Sequence, residues 1–101
     1  MTPGKGTMRQ SFLVHDAEDA VGVAVHDIPP GPAVPGRVQS TGQELSLDVV
    51  DAVPLGHKVA LHDIARGEPV VKYGVVIGLA TADIRSGQHV HVHNLKGQRW
   101  A

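Results

Sequence analysis

The sequence predicts a small all-β domain built from short strands joined by tight turns. Short apolar runs, most of them rich in valine, alternate with glycine and proline along the chain, and this spacing is typical of short strands. No stretch keeps the helical period of apolar residues for more than about one or two turns, so helix is expected to be a minor component. The 101 residues fit one domain.

The core is expected to consist of small aliphatic side chains. Aromatic residues make up 3% of the chain and are limited to Phe12, Tyr73 and Trp100. Valine, isoleucine, leucine and alanine must therefore fill the interior. Because a chain of this length buries only about two thirds of its unfolded surface, such a thin core favours a partner subunit.

The predicted elements follow one another along the chain. Residues Met1–Gln10 are expected to form a disordered leader, because Pro3, Gly4 and Gly6 interrupt any regular pattern, and the β domain is expected to span residues 11–101. The segment Pro29–Gly42, rich in proline and glycine, is interpreted as a loop between two halves of the sheet or as a flap over a site. The predicted strands are Ser11–His15, Ala20–His26, Arg37–Gln39, Leu45–Val50, Lys58–Leu61, Pro69–Val71 and His89–Asn94.

A weak internal repeat, Asp-Ile-x-x-Gly, lies between these strands. It occurs at Asp27–Gly31, Asp63–Gly67 and Asp83–Gly87, with a looser relative at Asp51–Gly56. We expect the aspartate to accept hydrogen bonds from turn amides, the isoleucine to enter the core and the glycine to adopt a positive φ. These aspartates are therefore interpreted as turn formers rather than as catalytic groups.

Composition argues against several classes of protein. The formal net charge is −1 and 19% of the residues are charged, so the chain lacks the basic surface that nucleic-acid binding requires. No apolar run approaches the roughly 20 residues that span a bilayer, and no signal-peptide core is visible near the start. The chain contains no cysteine, which excludes disulfides and thiolate metal ligands. A cytoplasmic protein without a nucleic-acid or membrane partner is expected.

The strongest candidate for chemistry is the run His89-Val90-His91-Val92-His93-Asn94. On one continuous strand the three imidazoles would share a face, because successive side chains point to opposite sides. Such a face is suited to a metal ion, an anion or proton transfer, with the Asn94 amide as a neutral partner for a ligand. The alternative is an exposed polar strand edge.

Two further segments pair a histidine or an aromatic ring with a cation. His57 and Lys58 follow a proline turn and would point to opposite faces of a strand. A lysine suits an anionic substrate and a histidine suits proton removal, whereas the alternative is a solvated turn. Lys72 precedes Tyr73, for which a packing role is expected.

His15 closes the first apolar strand at the rim of the predicted sheet. An acidic turn, Asp16–Asp19, follows it directly. Aspartates in such turns most often cap backbone amides in contact with solvent. His15 is therefore the member of this segment that is the candidate for chemistry.

Six motifs follow one another in a fixed order along the chain. They are His15-x-x-x-Asp19-x-Val21-Gly22-Val23-Ala24, Ile28-Pro29-x-Gly31, Pro54-x-Gly56-His57-Lys58-x-Ala60-Leu61, Asp63-Ile64-x-x-Gly67-x-x-Val70-x-Lys72-Tyr73-Gly74, Ile77-Gly78-x-Ala80-Thr81-x-Asp83-Ile84 and Gly87-x-His89-Val90-His91-x-His93-Asn94. Together they resemble the SAF-type N-terminal domain of the altronate and galactarate dehydratase family. The resemblance covers the chain from Phe12 to Trp100 and implies a β-clip fold, lyase chemistry on 2-hydroxy acids and a divalent metal.

The chain departs from most members of this family in two respects. Many members fuse the domain to a much larger catalytic part, whereas this chain ends at Leu95–Ala101. That layout resembles the small subunits of two-component sulfolactate sulfo-lyases and implies a large catalytic subunit as a separate polypeptide. Ala20 stands where many relatives have asparagine, which implies a changed loop contact or substrate preference.

The resemblance assigns roles to eight residues. His91 and His93 are the expected metal ligands, with Fe²⁺ as the implied ion and Mn²⁺ or Mg²⁺ as alternatives. Asn94 and Lys72 are the expected substrate-binding residues, and His89 has a supporting place. The expected catalytic residues are His57, Lys58 and His15.

The implied function is that of a small subunit in a two-component carbon–oxygen or carbon–sulfur lyase. The complex would convert a small 2-hydroxy or sugar acid, of the altronate, galactarate or sulfolactate type, to a 2-keto acid. The chain alone is expected to be inactive and could form a homodimer through exposed strand edges. The alternative is a non-catalytic SAF module that binds a carbohydrate acid or docks to a partner protein.

Overall fold

The computed structural model describes residues 10–97, and every regular element in that part of the chain is a strand. The prediction of an all-β fold is therefore confirmed. The expected leader falls outside the described residues, apart from Gln10. The strands are β1 (Phe12–Val14), β2 (Val21–Ala24), β3 (Gly31–Val38), β4 (Glu44–Val49), β5 (Lys58–Ala60), β6 (Pro69–Lys72), β7 (Val75–Ala80), β8 (His89–Val90) and β9 (Leu95–Gly97).

The strands form two sheets. The larger sheet has six strands in the order β4-β3-β1-β2-β5-β8, and the smaller sheet has the order β6-β7-β9. All neighbouring pairs are antiparallel except β1 and β3, which run parallel. A backbone hydrogen bond from Ala20 to the carbonyl of Val71, 2.8 Å long, joins the start of β2 to the end of β6. The small sheet is thereby held beside the middle of the large one.

The core is divided into two aliphatic clusters, as the composition predicts. The ring of Phe12 lies so close to Gly36 that a Cβ atom there would collide with it, and Gly22 is nearly as close. Two glycine-containing strands therefore accommodate the one aromatic ring that lies in the core of residues 10–97. The first cluster contains Phe12, Val14, Ala24, Ile28, Val38, Leu47, Val49, Val53 and Val59, and the second contains Ala20, Val21, Ala60, Ile64, Val70, Ala80, Ile84 and Val90.

The Asp-Ile-x-x-Gly repeats pair with one another across the fold. Ile64 and Ile84 form an antiparallel bridge, and both side chains are buried. Asp63 accepts a 2.8 Å hydrogen bond from the amide of Ser86, and Asp83 accepts one of 2.9 Å from Arg66. The aspartates therefore do bind turn amides, but those of the partner repeat rather than of their own.

The predicted glycine conformation holds in two of the three full repeats. Gly67 and Gly87 both have φ near 87°, and Gly56 in the looser repeat has a φ of 83°. Gly31 is the exception, since it begins β3 instead of closing a turn. The proline pair before it leads directly into an extended strand.

The predicted strand His89–Asn94 is wrong beyond its second residue. Strand β8 ends at Val90, and residues 91–94 form a turn in which the Asn94 amide donates a 3.1 Å hydrogen bond to the His91 carbonyl. Val92, expected on the apolar face, is 82% exposed. Alternation of residue types alone does not reveal that the chain reverses here to start β9.

The segment Pro29–Gly42, expected to be a loop or flap, is mostly strand β3. It pairs with β4 on one side and lies parallel to β1 on the other.

Strand β7 was not predicted, because Gly78 interrupts its apolar run. That glycine is needed because a Cβ atom there would collide with the carbonyl oxygen of Lys96. Lys96 lies on the neighbouring strand β9, which was also not predicted.

Candidate functional site

Strand pairing brings three histidines together at one end of the large sheet. In the antiparallel register of β5 and β8, Val59 lies opposite His89 and Lys58 opposite Val90. His57 therefore lies beside His91, and their rings stack with centroids 3.9 Å apart and planes 16° from parallel. The His57 and His89 rings are also stacked, with centroids 5.0 Å apart.

These three side chains, His57, His89 and His91, form what we call the imidazole group. One ring nitrogen from each lies within 4.8 Å of the others, and all three residues are half-buried. Nδ1 of His57 is 2.8 Å from Nε2 of His89. When both rings are neutral, the N–H of one donates a hydrogen bond to the bare nitrogen of the other. Two nitrogens about 2.0–2.1 Å from a shared ion would need only a small increase in this separation.

Asn94 fixes the backbone on both sides of the turn. Its Oδ1 accepts a 2.9 Å hydrogen bond from the amide of His91, and its Nδ2 donates one of 2.9 Å to the carbonyl of His89. The residue is 8% exposed. Asn94 therefore orients two members of the imidazole group through their backbone, and direct contact with a substrate stays a prediction.

The electrostatics at His89 and His91 favour the neutral form of these two rings. Burial, followed by the neighbouring charges of His93, His57 and His91, lowers the pKa of His89, and Asp51 acts in the opposite direction. Partial burial, followed by His57 and Lys58, lowers the pKa of His91. Neutral imidazole is the form that binds a metal ion.

His93 lies outside the imidazole group. Its side chain is exposed, and its ring centroid is 5.0 Å from that of His89 with the planes tilted by 40°. The structure thus groups His91 with His57, which was expected to be catalytic, and with His89, which was expected to be supporting. Only the pairing of β5 with β8 shows this, because His57 and His89 are 32 positions apart in the chain.

The second feature is a cleft of about 320 Å³ on the face of the large sheet. It brings together three residues that the sequence singled out from distant segments, namely His15, Lys58 and Lys72. Its floor is apolar and comes from β1 and β2. The remaining lining residues are Leu13, Asp19, Val21, Val23, Val25, Gln39, Gly56 and Tyr73.

Lys58 and Lys72 give the cleft a positive charge. Partial burial, followed by the charge of Lys72, lowers the pKa of Lys58 from its ordinary value of 10.5. An anion bound in the cleft would raise the pKa of Lys58 again, because a nearby opposite charge favours the charged ammonium. His57 and Lys58 are neighbours in the chain, yet one belongs to the imidazole group and the other lines the cleft.

Tyr73 lies at the cleft and not in the core. The Lys72 Nζ atom is 3.5 Å from the centroid of the Tyr73 ring, and the His15 ring centroid is 4.2 Å from it. Tyr73 is 53% exposed, so its ring packs on these two side chains at the surface. Its place next to Lys72 was the available signal, but the approach of β6 to the start of β2 could not be predicted from sequence.

Asp19 is the second residue that sequence reasoning missed. It was interpreted as part of a solvated turn, yet its side chain is 3% exposed. Its Oδ1 accepts a 3.1 Å hydrogen bond from the Gly74 amide, and its Oδ2 accepts one of 3.2 Å from the Asp16 amide. Asp19 therefore joins the loop after β1 to the turn that carries Tyr73.

Comparisons with known proteins point to one family. The family described as "Altronate/galactarate dehydratase SAF domain" matches residues 10–98. The chain is 48% identical to the (2R)-sulfolactate sulfo-lyase subunit alpha of Chromohalobacter salexigens over 94 residues, which cover 92% of this chain and 100% of that protein. It is 41% identical to the subunit of the same name from Paracoccus pantotrophus over 62% of this chain and 94% of that protein.

A second group of relatives is much longer. The altronate dehydratase of Bacillus subtilis is 40% identical over 86% of this chain, but the match covers only 16% of that enzyme. In the residues that the structure describes, no helix is long and apolar enough to cross a membrane. The family match over residues 10–98 and these relatives show that the chain belongs to the altronate/galactarate dehydratase SAF domain family.

Proposed function

We propose that this chain is the small subunit of a two-component lyase that eliminates water or sulfite from a small 2-hydroxy acid. The observation that carries the proposal is the cleft, because it gathers His15, Lys58 and Lys72 from three separate segments into one cavity. Two ammonium groups and an imidazole are what an acid with a removable α-proton requires. The relatives named as sulfo-lyase subunits, which this chain matches over nearly their whole length, support the two-component arrangement.

The reaction would begin with loss of the proton on C2, next to the carboxylate. The electron pair of the C2–H bond forms the C2=C3 double bond, and hydroxide or sulfite leaves C3 with its own bonding pair. The resulting enol then tautomerises to a 2-keto acid. Lys58 and Lys72 would stabilise the charge that develops on the carboxylate, and His15, in the same cleft, is the proposed proton carrier. His57 lies among the histidines that could hold a metal ion, so it is not the proposed proton carrier.

The imidazole group fits a divalent transition metal. Three imidazole nitrogens within 4.8 Å of one another leave coordination positions open, as catalytic sites do. Imidazole suits Fe²⁺, whereas Mg²⁺ prefers oxygen ligands, so Fe²⁺ is proposed and Mn²⁺ is the alternative. His57, His89 and His91 would hold the ion, with His93 beside them. A bound ion would supply positive charge for the carboxylate or hydroxyl oxygens of the acid.

A large subunit is the proposed partner. The matched altronate dehydratases carry this region as 16% of their length, which suggests that most of the machinery lies outside a chain of this size. The cleft is open on one side, and elimination chemistry benefits from the exclusion of water. The chain alone is therefore proposed to be inactive, and a cytoplasmic location stays a prediction from the cysteine-free sequence.

Reconstitution tests this function. The chain is expressed with the large subunit encoded beside it, Fe²⁺ is added without oxygen, and sulfolactate, altronate and galactarate are assayed for 2-keto acid. We expect product only when both chains are present, and released sulfite would identify a sulfo-lyase. Equal turnover by the large subunit alone would contradict the proposal and favour a non-catalytic SAF module.

A further inference from the structure

Tyr73 occupies a backbone conformation that tyrosine rarely adopts. It has a φ of 59° and Gly74 a φ of 69°, and together they form the two-residue turn between Lys72 and Val75. Such turns favour Asn-Gly, because other side chains crowd the following carbonyl oxygen when φ is positive. Since Tyr73 is 53% exposed, burial of its ring does not account for a tyrosine at this position.

A buried carboxylate holds the turn in place. Asp19 is 3% exposed and accepts hydrogen bonds from the amides of Gly74, at 3.1 Å, and Asp16, at 3.2 Å. A backbone hydrogen bond of 2.8 Å from Ala20 to Val71 runs beside it. The turn that carries Tyr73 and the loop after His15 therefore form one connected unit.

The Tyr73 ring contacts two titratable side chains that line the cleft, those of Lys72 and His15. The Lys72 Nζ atom is 3.5 Å from the ring centroid, a distance at which an ammonium group is attracted to the ring face. The His15 ring is 4.2 Å away at an angle of 50°. Without the ring, a long lysine side chain and a histidine at a strand end would be free to turn towards solvent.

We propose that Tyr73 is a positioning residue that directs Lys72 and His15 towards the carboxylate of the bound acid, with Asp19 holding its turn. The geometry of the turn stands by itself, whereas the role towards the acid rests on the proposed function. An asparagine or glycine, although better suited to the turn, has no ring to present to the ammonium.

The variant Tyr73→Asn separates this role from a purely structural one. Asparagine is well tolerated at a positive φ, so the folded chain should be at least as thermally stable as the wild type. In the reconstituted lyase with sulfolactate as the probe, we expect KM to rise about tenfold, with a smaller change in kcat. Tyr73→Phe keeps the ring and should restore most of the lost affinity. A Tyr73→Asn enzyme with wild-type KM overturns the proposal.

A second measurement does not depend on turnover. Proton NMR of the whole chain should show the His15 ring protons and the Lys72 ε-methylene shifted upfield by the Tyr73 ring in the wild type and in Tyr73→Phe. Both shifts should vanish in Tyr73→Asn. Identical His15 and Lys72 shifts in the wild type and Tyr73→Asn overturn the positioning role. Failure of the proposed function appears differently, as no turnover by any variant while the ring-dependent shifts persist.

Discussion

At the scale of single residues, the proposed metal site depends on how closely the ring nitrogens of His57, His89 and His91 approach one another. Two of these atoms, on His57 and His89, are already 2.8 Å apart, and Asn94 orients the backbone of His89 and His91. The sequence identified every member of the group as a candidate. It could not show which histidines meet, because that depends on the pairing of β5 with β8.

The ligand set is tested by metal titration of the chain. Calorimetry with Fe²⁺ under anaerobic conditions should give one ion per chain. We expect His57→Ala, His89→Ala and His91→Ala each to weaken binding by at least about tenfold, since each removes a direct ligand. His62→Ala is the matched control, because that exposed ring contacts the Asp63 carbonyl and lies outside the group. Strong loss only in His93→Ala would contradict this set.

The same residues predict how stability depends on pH without metal. The pKa of His89 and of His91 is lowered in the folded chain from the ordinary value of 6.5. The unfolded chain therefore binds more protons as the pH falls through about 6.5, and the free energy of unfolding decreases. In the presence of a chelator, we expect the urea midpoint to be lower at pH 5.5 than at pH 7.5.

A double variant provides the comparison for this pH effect. His89→Gln/His91→Gln removes both titrating rings, so its urea midpoint should change less between the two pH values than that of the wild type. An equal change in both proteins would contradict the assignment of the effect to these two histidines.

At the scale of elements, two turns that end the repeats have the same backbone conformation but different packing. Gly67 and Gly87 share a φ of 87°, yet their surroundings differ. A Cβ atom at Gly67 would meet nothing within 4 Å, whereas one at Gly87 would collide with the Asp48 carbonyl. The repeat pattern predicted the positive φ at both positions but could not predict this contact with the end of β4.

The two glycines form a matched pair of mutants. Gly67→Ala should lower the free energy of unfolding by about 1 kcal/mol, because only the left-handed conformation is penalised. Gly87→Ala should cost about 3 kcal/mol or more, because the collision with the backbone adds to that penalty. Chemical denaturation measures both, and equal losses would contradict the described packing of Gly87.

The errors in predicted elements have physical causes of the same kind. The histidine run alternates as a strand should, but Asn94 closes a turn within it. Gly78 looks like an interruption of β7 but permits the close approach of Lys96 on β9. The composition of Pro29–Gly42 suggests a loop, but its pairing with β1 and β4 makes most of it a strand. Contacts between distant segments determine each outcome.

At the scale of the whole molecule, the cleft has exposed apolar side chains at its border. Apolar side chains at the cleft, Val25 and Tyr73, are 41% and 53% exposed. Contact with the proposed large subunit would bury them and exclude water from the lysines. Homodimer formation through the strand edges of the isolated chain stays a prediction.

The all-β class, the aliphatic core and the family were predictable because they depend on residue types and motif order. The gathering of His15, Lys58 and Lys72 was not, because it requires the relative position of the two sheets. The central claim is that this cleft forms part of the lyase active site rather than a docking surface alone.

The most direct test is the turnover of the large subunit reconstituted with Lys58→Met, compared with the wild-type chain and with Lys96→Met. Lys96 is exposed on β9 and does not line the cleft, so its variant controls for loss of charge. We predict that Lys58→Met binds the large subunit normally but lowers kcat/KM by about a hundredfold or more, as loss of charge stabilisation does. Wild-type turnover with the Lys58→Met chain would contradict the account.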